Sequence, residues 1–152
     1  HYDMLMQEAG LKFKINQFKS VSLDFDFQYG VADNDNQIDD KDRSYKYLNL
    51  RPGLTLNLPG KHQIRLAGRY DQRSYGSEQH DDPLHAGRYQ EEYRMDVTFL
   101  PKFSGSFKVE PYFGYRERLV DSSDPAVRDL KSFSRYWFGI RFGFKSVIDM
   151  YI

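Results

Sequence analysis

The chain has 152 residues, no cysteine, 39% hydrophobic and 16% aromatic residues, and a formal net charge of zero. That length supports one domain with a sizeable core, the lack of cysteine excludes disulfide frameworks and thiolate metal sites, and the balanced charge gives no electrostatic footprint for nucleic acid. No run approaches ~18 apolar residues, which excludes a transmembrane helix, while a mean hydropathy of −0.75 still allows a wet-lumened barrel whose strands are apolar only at alternate positions.

The first segment sets Ala9, Leu11, Phe13 and Ile15 on one face and Lys12 and Lys14 on the other, the period-two pattern of a strand. A short connection, Asn16 to Ser20, leads to a second segment. There Val21, Leu23, Phe25, Phe27, Tyr29 and Val31 oppose Ser22, Asp24, Asp26 and Gln28. The polar stretch from Ala32 to Arg43 reads as a loop. Two more strands occupy Tyr47 to Tyr70, joined by a tight turn at Pro59-Gly60. Leu48, Leu50, Pro52, Leu54, Leu56 and Leu58 oppose Asn49, Arg51, Gly53, Thr55 and Asn57. After the turn, Ile64, Leu66, Gly68 and Tyr70 oppose Gln63, Arg65 and Arg69.

A second polar loop, Gly76 to Gly87, precedes a fifth strand with Tyr89, Tyr93, Met95, Val97 and Phe99 against Arg88, Gln90, Glu92, Arg94 and Asp96. A turn near Pro101 to Gly105 follows. In the sixth strand Phe107, Val109, Pro111, Phe113 and Tyr115 oppose Lys108, Glu110, Tyr112, Arg116 and Arg118. A third polar loop is expected from Asp121 to Leu130. The seventh strand then sets Tyr136, Phe138, Ile140, Phe142 and Phe144 against Arg135, Trp137, Arg141 and Lys145. No helical stripe of useful length occurs, so the reading is all-β. Pro52 and Pro111 each remove a ladder donor and are expected at a bulge or beside an unpaired neighbour.

The connections alternate: short after Ile15, Leu58 and Leu100, long and polar after Val31, Tyr75 and Val120. Charge enters the apolar face at Lys46, Glu91 and Glu117, near the long-loop ends. Tyr29, Tyr45, Tyr47, Tyr70, Tyr89, Tyr93 and Tyr115 gather toward the same ends, as an interfacial girdle would. Short turns at one end and long loops at the other is the layout of bacterial outer-membrane barrels. The chain resembles that class over nearly its whole length, and Trp137 to Phe144 resembles its aromatic-rich terminal assembly signal. The resemblance implies an antiparallel up-and-down transmembrane β-barrel in a Gram-negative outer membrane, touching lipid and lipopolysaccharide and acting as a porin-like transport channel.

On that reading the lipid-facing residues are Leu11, Phe13, Leu23, Phe25, Phe27, Leu54, Leu56, Val97, Phe99, Val109, Phe113, Phe138, Ile140 and Phe142. The pore-lining residues are Lys12, Lys14, Asp24, Asp26, Arg51, Arg65, Arg69, Arg94, Asp96, Lys108, Glu110, Arg116, Arg135 and Arg141. With Arg73, Arg88, Arg118, Lys145, Asp71 and Glu92 added, the charged face carries fourteen basic and six acidic residues, a net charge of +8. Such a wall favours anionic solutes or encloses a partner.

Two alternatives use the same residues. In a narrow structural or interaction barrel they would form a sealed ion-pair network beneath acidic surface loops. In a soluble lipocalin-like barrel the two faces would be reversed. The first strand starts on the long-loop side, so an odd number of preceding strands is expected and the chain reads as the C-terminal part of a larger barrel; an eighth strand at Ser146 to Ile152 is the competing count. Asp33 to Asp39 has a hint of a calcium loop, but Ile38 stands where an EF-hand needs Gly. His80 and His85 flank Asp81 and Asp82, yet no serine context marks a nucleophile. No catalytic residue, metal site or cofactor is assigned.

Overall fold

Among the described residues, period-two alternation of apolar and charged residues becomes seven strands of 12 to 15 residues: β1 (Met4–Phe18), β2 (Val21–Asn34), β3 (Tyr45–Asn57), β4 (Gln63–Tyr75), β5 (Tyr89–Leu100), β6 (Phe107–Asp121) and β7 (Phe133–Phe144). The computed structural model describes residues 4–34, 44–76, 87–102, 107–122 and 124–144. Each strand pairs antiparallel with its neighbours in sequence, giving one up-and-down sheet in the order β1 to β7. Among the described residues the sheet is open, with β1 and β7 as its edges.

Lys19 and Ser20 alone separate β1 from β2. β1 runs past Ile15 to Phe18 through an irregularity in pairing, so the connection is shorter than the sequence pattern suggests. Between β3 and β4 the chain turns through a single 3-10 turn at Pro59–Lys61. Gly60 and Lys61 take positive φ there (75° and 67°), and the Leu58 N–H donates to the His62 carbonyl at 2.8 Å.

The third long connection differs from the expected loop. It holds a seven-residue helix, α1 (Pro125–Lys131), beside β6, with Val127 buried. Asp124 caps the helix by accepting from the Ala126 N–H at 2.8 Å, and Pro125 stands at its first turn, where a missing donor costs nothing.

The two prolines behave as donors removed from a ladder. β3 and β4 pair at Leu50–Tyr70 and again at Gly53–Ala67 in the same register, but not at Arg51 or Pro52. Pro111 pairs with Ile140 of β7 and lies one residue past the last β5–β6 pair, Thr98–Tyr112.

The two faces of the sheet are buried in the opposite sense from a water-soluble sheet. Asp71 and Glu92 on the charged face are each 7% exposed, whereas Leu11 and Phe138 on the apolar face are 70% and 86% exposed. Every buried strand residue among those described lies on the charged face, where Arg69 covers Asp71 and Arg116 and Arg118 cover Glu92. Ser146 to Ile152, His80, His85 and most of Asp33 to Asp39 lie outside the described residues.

Candidate functional site

The register places all fourteen residues expected to line a pore on one face and all fourteen expected to meet lipid on the other. It also shows what alternation alone could not, namely which side chains stand abreast. Arg69, Arg94, Arg116 and Arg135 are direct partners on β4 to β7. The constant β3–β4 register puts Arg51 level with Arg69, and Asp26 and Lys12 continue the level onto β2 and β1. One step toward the long loops stand Asp71 and Glu92; one step toward the short turns stand Asp24 and Asp96.

These neighbouring carboxylates hold the middle of the arginine level. Glu92 accepts two hydrogen bonds from Arg116, both at 2.7 Å, and two from Arg118 at 2.9 and 2.7 Å. Arg69 donates to Asp71, and Arg94 to Asp96 at 2.7 and 3.2 Å. Further out, Lys12 pairs with Asp26 at 3.5 Å, while Lys108 and Arg141 share Glu110 at 3.6 and 3.9 Å. Lys14, Arg51, Arg65 and Arg135 have no ion pair among the described residues.

Aromatic rings complete the wall. The Arg94 guanidinium lies 5.2 Å from the Trp137 ring centroid, and the Arg141 guanidinium 4.5 Å from that of Tyr112. Both distances are in the range of a cation–π contact. Trp137 covers Gly114 across the strands so closely that a Cβ there would run into the indole. Gly30 makes the same room for Tyr47.

One charged-face residue escaped the sequence reading. Glu8 accepts from the Tyr47 hydroxyl at 2.8 Å on β1, beyond the segment where alternation is clear. With Glu8 counted and Lys145 outside the described residues, the face carries thirteen basic and seven acidic side chains, a net charge of +6. Arg88, at the long-loop end, is 7% exposed and donates to Gln90 Oε1 at 2.7 Å, and its Nε has no hydrogen-bond partner among the described residues.

The opposite face carries an ordered tyrosine belt. Glu91 accepts hydroxyl hydrogen bonds from Tyr70, Tyr89 and Tyr93 at 2.8, 2.9 and 3.2 Å. Tyr45 and Tyr47 do not belong to this belt: they share the parity of Asn49 and Arg51 and stand on the charged face.

Charge enters the apolar face along an oblique line. Asp33 marks it on β2, Lys46 of β3 is level with Val31, Glu91 of β5 is level with Tyr29, and Glu117 of β6 is level with Phe27. From Asp33 to Phe27 is six residues, or about 20 Å, across four strand spacings, or about 19 Å, so the strands cross this line at roughly 45°.

No family model, curated protein or solved structure matches the chain.

Proposed function

We propose that the sheet is wall of an outer-membrane β-barrel channel, with its apolar face in lipid and its basic face toward a water-filled lumen that favours anions. The inverted burial carries this reading. Among the described residues, sixteen of the nineteen large hydrophobic side chains that stand exposed lie on the apolar face. Full burial of one such side chain contributes about 1.5–3 kcal/mol, so leaving sixteen of them roughly half exposed to water would forgo on the order of 10–25 kcal/mol. That rivals the total stability of a domain, ~5–15 kcal/mol. A hydrocarbon surrounding removes the penalty.

The oblique boundary supports the same reading, because strands of outer-membrane barrels tilt by ~35–45°. Thirteen residues of β3 span about 43 Å, which at ~45° covers about 30 Å, the thickness of a bilayer core. The tyrosine belt then lies at the interface on the long-loop side, next to lipopolysaccharide.

Reconstitution in planar bilayers tests the function. A potassium chloride gradient should give a reversal potential that favours chloride. The ion pairs around Glu92 favour a second reading, a barrel whose interior is closed by such a network or filled by a partner. Folded, inserted protein that never conducts would establish that reading over the open channel.

A further inference from the structure

We propose that the arginine level crossing β3 to β7 is a binding track for a short linear oligoanion, a molecule with several carboxylates or phosphates in a chain. This rests on the reading that the charged face borders water.

Like charges placed directly opposite each other on neighbouring strands destabilise a sheet. Arg51, Arg69, Arg94, Arg116 and Arg135 nevertheless stand abreast on five consecutive strands. At ~4.8 Å per strand, the level extends about 19 Å.

The level is only partly neutralised, and in an informative way. Its middle members are braced by carboxylates one step away: Arg69 by Asp71, Arg94 by Asp96, Arg116 by Glu92. Those bonds fix where the planar forks lie without placing an acid between β3 and β7; the acid that continues the level, Asp26 opposite Arg51 on β2, is paired with Lys12 at 3.5 Å. Its end members, Arg51 and Arg135, have no ion pair among the described residues. Each retains a guanidinium suited to paired hydrogen bonds with carboxylate or phosphate.

Geometry favours a chain over a single ion. A monoanion can engage one or two guanidinium groups at a time, whereas a linear oligoanion can engage the braced centre and an unbraced end together. The pairing gap at Arg51 and Pro52 lies at a depression of about 330 Å³ lined by Arg51, Arg69 and Arg94 and by the carboxylates Asp24 and Asp96, the latter held by Arg94, so three guanidinium groups face two acids there. Because the strands cross the apolar boundary at ~45°, the level is oblique too. Arg51 lies deep below the boundary and Arg135 close to it, so the track leads from the long-loop mouth inward.

Trp137 is the chain's single tryptophan and its ring is in contact with Arg94, so its emission reports occupancy without any need for conduction. Detergent-folded protein is titrated with tripolyphosphate, orthophosphate, a tri-aspartate peptide and acetate at matched ionic strength. The chain form of at least one group should change the emission saturably at a concentration at least tenfold below its single-group analogue, and the stronger chain names the group. Arg51→Gln with Arg135→Gln should reduce that advantage to less than threefold, while Arg65→Gln leaves it intact. If the double variant does not fold, each single variant should lower the advantage by itself. No response, equal response to chain and single ion, or an advantage that survives the loss of Arg51 and Arg135 overturns the track. A parent that binds the chain but never conducts keeps the track and removes the open channel; anion-selective conduction with no chain advantage does the reverse.

Discussion

Glu92 is the side chain on which the charged face depends most, because one carboxylate serves two arginines. Its side chain is 10% exposed and those of Arg116 and Arg118 are 35% and 25% exposed. Removing one partner from a buried ion pair costs ~3–5 kcal/mol, and the partial exposure of the arginines reduces this to about 2–3 kcal/mol for Glu92→Gln. Urea unfolding in detergent should show that loss, and a midpoint within error of the parent would show that the network does not hold the wall. Gly114 makes an opposite kind of demand. Gly114→Leu forces Trp137 off the strand, and overpacking of this sort costs about 1–3 kcal/mol. Trp137→Ala in the Gly114→Leu background should restore part of the loss; no recovery would assign the cost to backbone preference instead.

At the scale of the strand, Leu54 is the sharpest test of which face meets lipid. It stands mid-strand on β3 between Leu23 of β2 and Leu66 of β4. Leu54→Arg should cost about 2–4 kcal/mol and impair assembly in lipid vesicles, as cationic residues do on the lipid face near the midplane. An arginine that leaves folding yield unchanged there would falsify the proposed orientation. The same strands show how far sequence alone reaches. Alternation assigned Leu54 and Arg51 to opposite faces correctly, because side-chain direction has a period of two whatever the partner strand. It could not show that Arg51 stands level with Arg69, Arg94, Arg116 and Arg135. Level depends on register, and register depends on turn lengths and irregularities such as that between Ile15 and Phe18. The helix at Pro125–Lys131 is not legible in the sequence for another reason: seven residues are too few to display a 3.6-residue stripe, and only its Asp124-Pro125 start carries a signal. Position along the chain groups Tyr45 and Tyr47 with the belt, whereas their parity places them with Asn49 on the charged face.

For the whole molecule, the question is whether the net charge of the wall, +6 over the described residues, sets what passes. Arg65 is the best place to ask. It is exposed, has no ion pair among the described residues, and faces Thr55 and Thr98 on its neighbours, so a carboxylate there meets no like charge directly opposite. Arg141 shares Glu110 with Lys108, and a glutamate in its place would stand beside that carboxylate; glutamine removes the charge without the repulsion. Arg65→Glu with Arg141→Gln changes the wall by −3 and halves its net charge. Folding should be retained, since substitutions on the lumen side of a barrel mainly tune selectivity. The chloride preference in a bilayer should fall at low salt. It should fall less near 1 M, where the Debye length is ~3 Å and the wall's charge barely reaches a permeating ion. A folded, conducting variant that keeps the parent's reversal potential at low salt would mean that net wall charge does not choose the ion. Selection would then lie with the braced arginines around Asp71 and Glu92, whose positions the double variant leaves untouched.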